Sequence, residues 1–152
     1  MDSGKIILSP EDMKNISSSY LVSGRKQDTW VITYLEIEGR ELYAEICMSS
    51  YYVSPTDTDG FHLPMYPPIE FISQLMIIYV HVWAGLKEKT QEGWMIECSF
   101  SSKRPIRDPE NIKVRMKVTS IRKFREKIYI VAETRVYDEE GLFEGRMKCL
   151  LS

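Results

Sequence analysis

One stretch constrains this chain more than any other: between residues 69 and 86 the only clearly polar side chains are Glu70, Ser73, Gln74 and His81. A helix that is apolar nearly all round needs the rest of its domain wrapped about it. At 1.5 Å per residue such a helix runs roughly 27 Å, the width of a small domain. That length also touches the lower limit of a membrane span. Four polar residues, with extended amphipathic segments on both sides, favour burial in protein over a bilayer. A proline-rich loop carrying His62, Pro64, Pro67 and Pro68 leads into the helix. Gly85 supplies a C-terminal stop.

On either side the period of apolar residues is two. Residues 30–37 and 42–48 alternate β-branched or aromatic with polar side chains across Glu38-Gly39, which reads as an antiparallel hairpin. Residues 51–60, with Ser54-Pro55 and Asp57-Thr58-Asp59-Gly60, read as loop. After the helix, Trp94, Ile96, Cys98 and Phe100 are expected on one face of a strand that breaks at Pro105 and Pro109. Ile112, Val114, Met116 and Val118 mark a half-buried strand, and Ile128, Ile130, Ala132, Thr134 and Val136 repeat it. Phe143, Met147, Cys149 and Leu151 mark the last. Ahead of all this, Ser9-Pro10-Glu11-Asp12 starts a short helix over about 10–18, with Ser9 as N-cap.

The order is strand, strand, long helix, four strands. An α+β domain in which one curved antiparallel sheet of five or six strands curls around a single helix satisfies it best. Ferredoxin-like packing needs two comparable helices, and there is one. At 152 residues the whole chain, 1–152, fits a single domain with a core of its own. A net charge of −2 gives no electrostatic footprint for nucleic acid. The cysteines, Cys47, Cys98 and Cys149, are odd in number, form no CxxC pair and fall in apolar runs. They read as reduced, buried thiols in a cytoplasmic protein. The first fourteen residues carry no basic-then-apolar leader, which agrees with that expectation.

The element order, the His62-Leu63-Pro64 loop and the Lys103-Arg104-Pro105 break resemble the hotdog superfamily of thioesterases and acyl-carrier-protein dehydratases. Within it the sequence is most similar to the FcoT-like long-chain acyl-thioester enzymes, some of which also add glycine to enoyl thioesters. Tyr20-Leu21-Val22-Ser23-Gly24 resembles that family's Tyr-x-x-x-Gly, which makes Tyr20 the counterpart of its first functional tyrosine. The spacing from His62 to Gln74 matches the family's loop histidine and helix glutamine. Where the family carries asparagines, this sequence has Pro64 and Ser73, and its second tyrosine falls at Thr56. The superfamily's dehydratases place a helix glutamate fourteen residues after the loop histidine, where this chain has Met76.

The residues themselves offer a site at the head of the long helix. At 100° per residue, Glu70, Gln74 and His81 lie within about 40° of one another, with Ser73 on the flank. This stripe either lines an acyl-thioester site or satisfies loop backbone beneath the sheet. In the first reading the helix N-terminal amides around Pro68 and Ile69 hold the thioester carbonyl, Gln74, Ser73 or Glu70 orients a water, and His62 acts as base or donor. Tyr66, in the same loop, joins the substrate contacts. His81 reads as a core histidine or a dimer contact. Lys103, Arg104 and Arg107 either grip the phosphates of coenzyme A or a phosphopantetheine arm, or form a solvated charge run.

The expectation is therefore a hydrolase of fatty or polyketide-type acyl thioesters, presented on coenzyme A or an acyl carrier protein. It needs no cofactor beyond the substrate's own coenzyme A or phosphopantetheine. No phosphate loop, metal-ligand spacing, nucleic-acid motif or membrane span accompanies the site. The alternatives are an enoyl-thioester addition or dehydration enzyme and a catalytically silent acyl-CoA-binding regulator. A homodimer or higher even oligomer is expected, with residues 91–100 as the pairing strand.

Overall fold

The computed structural model of the chain describes residues 5–17 and 28–152. Among them, strands β1 (Thr29–Glu38) and β2 (Glu41–Ser50) precede helix α2 (Tyr66–Trp83). Strands β3 (Gly93–Arg104), β4 (Ile112–Phe124), β5 (Lys127–Tyr137) and β6 (Leu142–Leu151) follow it. All six form one antiparallel sheet in the order β1-β2-β4-β5-β6-β3. The short helix α1 (Pro10–Ile16) begins with a capping box between Ser9 and Asp12 and buries no residue.

The side chains of β2, of β4 over 112–119 and of β5 alternate between buried and more open, as a sheet with one covered face requires, and β6 adds Phe143, Met147, Cys149 and Leu151 to the buried face. Against them α2 buries Phe71, Ile72, Leu75, Met76, Tyr79 and Val80. It lies across β5, with β1, β3 and β6 at its sides. Trp30 of β1 meets Phe71 edge to face at 5.7 Å. The Tyr79 hydroxyl donates to the Gly39 carbonyl at 2.8 Å, tying the C-terminal part of the helix to the β1–β2 turn. Gly39 has φ +59°, the left-handed conformation that such a turn asks of glycine. This is the hotdog arrangement, with six strands.

Three sequence expectations shift. The helix spans Tyr66–Trp83 rather than 69–86, because Pro67 and Pro68 occupy first-turn positions where a missing N–H costs nothing. The chain turns before Gly85, whose φ is +72°. Nor is α2 enclosed all round: Gln74, Val82 and Trp83 are exposed, and Glu70 and Ile78 are half-buried, so one side of the helix faces away from the sheet.

The second correction concerns β3. A bulge between Met95 and Glu97 inserts Ile96, so Met95 and Cys98 sit opposite Cys149 and Met147 on the concave side, while Trp94 sits opposite Leu150 on the outer side. Trp94 and Cys98 therefore do not share a face. The third concerns the thiols. Cys149 is buried, Cys47 half-buried and Cys98 exposed on the edge strand, and all three are free. Burial pushes the Cys149 thiol up to about 11, and the Cys98 thiol upward as well.

Candidate active site

The loop before α2 is fixed from two directions. The Leu63 N–H donates to the Ile106 carbonyl at 2.8 Å, and the Met48 N–H to the Pro109 carbonyl at 2.7 Å. These bonds lay the loop over 105–109 beside residues 57–64. Asp138, in the β5–β6 turn, anchors the 105–109 loop in turn. Its carboxylate accepts the N–H groups of Arg107 and Asp108 at 3.0 Å each, of Glu140 at 2.9 Å and of Gly141 at 2.5 Å. Burial alone would raise the Asp138 carboxyl, but the four backbone donors together outweigh it and hold it below its ordinary value.

That anchoring delivers Arg107 to the acidic loop. Its guanidinium lies 3.4 Å from both oxygens of Asp57, 3.4 Å from the Phe61 carbonyl and 3.6 Å from Asp59. Asp57 also meets His62, with Nδ1 and Oδ2 separated by 2.5 Å. The hydrogen bond from His62 is the chief cause that lowers the Asp57 carboxyl, burial opposes it, and the Asp59 N–H and Arg107 reinforce it. An ionised carboxylate has only acceptors, so Nδ1 of the imidazole is the donor. His62 is half-buried and, with Asp28, Tyr52, Ser54 and Pro64, lines a cavity of about 20 Å³.

The other expected site residues divide around this centre. Tyr66 is exposed at the first position of α2, Pro68 is buried and Ile69 half-buried. No side chain caps the helix. Pro67 and Pro68 have no N–H, and the amides of Ile69, Glu70 and Phe71 fall where the helix bonds them to Met65, Tyr66 and Pro67. The Tyr66 amide is thus the first-turn donor left for an oxyanion, not the amides around Pro68.

The stripe on α2 separates into parts. Glu70 is half-buried near the helix start and Gln74 is exposed on the open side. The Ser73 hydroxyl donates to the Ile69 carbonyl at 2.6 Å and touches the Met147 sulfur at 3.7 Å. His81 is buried: Nδ1 donates to the Ile77 carbonyl at 2.8 Å and Nε2 accepts the Thr90 N–H at 3.1 Å. Both ring nitrogens are used, which makes it a core histidine. Lys103 and Arg104 are exposed, and Arg104 Nε donates to the Glu140 carbonyl at 2.9 Å. Tyr20 lies outside the described residues. Asp57 is not among the site residues expected from the sequence; the Asp-x-Asp-Gly turn that it opens, five residues before His62, is its one visible signal.

A larger concavity, about 610 Å³, lies on the opposite, outer face of the sheet. Its walls are cross-strand rows such as Glu41–Lys117–Glu133–Arg146, in which opposite charges alternate. Such rows describe a solvated, salt-laced sheet face remote from α2. Among the described residues no group of three or more His, Cys, Asp or Glu is arranged to hold a metal. No described helix is long and apolar enough to cross a membrane.

No family model matches the chain, and no curated protein matches it. Solved structures do. The chain is similar to the putative thioesterase yhdA of Lactococcus lactis at 10% identity and TM-score 0.62, over 79% of this chain and 91% of that one. It is similar to thioesterase HI1161 of Haemophilus influenzae at 11% identity and TM-score 0.58, over 97% and 93%. A hypothetical thioesterase protein of Streptococcus pneumoniae, solved with coenzyme A, aligns at 8% identity and TM-score 0.51, over 82% and 89%. The superpositions show a shared hotdog fold, and at identities this low they show the fold alone.

Proposed function

We propose that this protein hydrolyses acyl thioesters, with His62 as general base at the head of α2. The observation that carries the reading is the Asp57–His62 contact, set in the loop that opens the central helix of a hotdog domain. An imidazole whose Nδ1 is held by a carboxylate keeps Nε2 free as an acceptor. Water attacks the thioester carbonyl carbon while Nε2 takes its proton. Negative charge collects on the carbonyl oxygen, where the Tyr66 amide and the positive end of the α2 dipole stabilise it. The C–S bond then breaks, the imidazolium returns the proton to the departing sulfur, and a carboxylic acid and a thiol leave.

The acyl chain, of fatty or polyketide type, lies along the open side of α2 over Ile78. Lys103 and Arg104, three residues or more before Arg107, grip the phosphates of coenzyme A or of a carrier's phosphopantetheine arm. The assembly is a homodimer. β3 ends the sheet with an unpaired edge among the described residues, and Trp94, Met95 and Ile96 on it are exposed. A second copy joined there covers that edge and brings its own α2 toward the open side. Three free thiols, one of them exposed, suit a reducing cytoplasmic compartment.

The two prolines in the first turn favour a second reading, acyl-CoA binding without turnover, because they leave the oxyanion one amide donor. Mass spectrometry of ligand carried through purification, followed by hydrolysis assays on an acyl-CoA panel, separates the two. Release of free thiol supports hydrolysis. Bound acyl-CoA with no release above buffer leaves the binding reading in its place.

A further inference from the structure

Asp57 sits between two partners that a merely solvated loop carboxylate would not have. One oxygen faces His62 Nδ1 at 2.5 Å, and Arg107 lies 3.4 Å from both oxygens. Asp57 is well shielded, with 17% of its side chain exposed. The arginine is itself fixed through the Asp138 anchor, so the carboxylate is held by the guanidinium as well as by the imidazole. His62 also lines the 20 Å³ cavity bordered by Asp28, Tyr52, Ser54 and Pro64. A water needs a cavity of about 10–15 Å³ or more and two to four polar partners. This one is large enough for a single water and too small for an acyl group.

We infer that Asp57 is a positioning residue, clamped by Arg107, that holds His62 with Nε2 presented to this cavity, and that the cavity seats the one water that His62 activates. The inference rests on the hydrolase reading and adds the origin of the nucleophile. The water loses its proton to Nε2 and forms the new C–O bond. Asp57 neither gains nor loses a proton; it fixes the ring and stabilises the imidazolium while it exists. Arg107 keeps Asp57 ionised and in place.

The chain has only two histidines, which makes the ring states directly readable. Nitrogen-15 NMR of histidine-labelled full-length protein, with both neutral forms resolved, should show His62 and His81 each protonated on Nδ1. In Asp57→Asn, His62 should become a mixture of tautomers while the His81 signal, bonded to Ile77 and Thr90, stays put and certifies the fold. Turnover of the best acyl-CoA should fall at least about tenfold in kcat with KM little changed. Asp57→Glu should recover part of the loss. Ser54→Val fills the cavity, keeps the Ser54 carbonyl that accepts the Asp57 N–H and loses only the hydroxyl contacts to Thr56; it should also lower kcat while leaving the tautomer as in the wild type.

If wild-type His62 carries its proton on Nε2, or Asp57→Asn leaves its signal unchanged, Asp57 does not position it, whatever the hydrolysis rates. Ser54→Val with wild-type kcat overturns the water site. If the tautomers behave as expected but the wild type hydrolyses nothing, the hydrolase reading falls and the assigned task of the dyad falls with it.

Discussion

The carboxylate of Asp138 accepts the backbone N–H of Arg107 at 3.0 Å, so a turn between the last two strands places a side chain of the candidate site. The order of dependence runs from Asp138 to the 105–109 loop, to Arg107, to Asp57 and then to His62. Removing the anchor should disturb the far end. Asp138→Ala leaves four N–H groups without their acceptor; the exposed Glu140 N–H turns to water, while a buried unsatisfied donor costs about 1–3 kcal/mol. We expect a loss of at least about 2 kcal/mol in urea unfolding, together with a shift of the His62 resonance.

Gly141 gives an independent handle on the same loop. A Cβ there would lie 2.4 Å from the Pro105 carbonyl oxygen and 2.5 Å from the Ile106 Cα, both backbone atoms that move only with the loop. Gly141→Ala is expected to cost about 1–3 kcal/mol and to reduce turnover, because Ile106 and Arg107 must shift together. Wild-type stability in this variant would contradict the placement of the loop.

Both carboxyls of this chain of contacts are held below their ordinary value of 3.8 in the folded protein. A depressed folded pKa stabilises the native state above the unfolded value, and that stabilisation is lost as pH falls through the folded one. Stability should therefore hold down to about pH 4 and decline below it. The urea midpoint of Asp138→Asn should fall less steeply over that acid range than that of the wild type.

Much of the fold was legible because its signals are periodic. The alternation in 30–37, 42–48, 112–118 and 128–136 specifies strands with one covered face, and the apolar run after Pro68 specifies a helix that needs a sheet around it. Ile96 was not legible: a bulge adds one residue to a strand without breaking its composition, and everything before it changes face. The loss of amides at Pro67 and Pro68 was written in the sequence, but it became visible only once the helix was seen to start at Tyr66. His62 and Arg107 were readable as residue types suited to the chemistry. Their meeting at Asp57 was not, because it depends on a turn thirty residues further on.

The edge strand gives a prediction about assembly. At micromolar concentration sedimentation should give about twice the chain mass of 17.8 kDa. Met95→Lys with Ile96→Lys, on the exposed edge of β3, should shift the equilibrium toward monomer and lower activity in parallel. A wild-type monomer that is fully active would remove the partner from the site.

The core sets the scale against which these changes are read. Phe71 is fully buried and meets Trp30 edge to face, so Phe71→Ala is expected to cost about 3–5 kcal/mol. Tyr79→Phe, which loses the hydroxyl donated to the Gly39 carbonyl, should cost about 1 kcal/mol in the same urea titration.

The most direct test compares the wild type with His62→Gln on a medium- or long-chain acyl-CoA, following free thiol released and, in parallel, the affinity for the intact thioester. General base catalysis by a placed imidazole contributes about 100-fold or more. The expected result is thiol release by the wild type, a fall of about that size in His62→Gln, and nearly equal affinity for both proteins. Equal turnover by the two proteins, or binding by the wild type with no release above buffer, would contradict the assignment of His62 as the base of an acyl-thioester hydrolase.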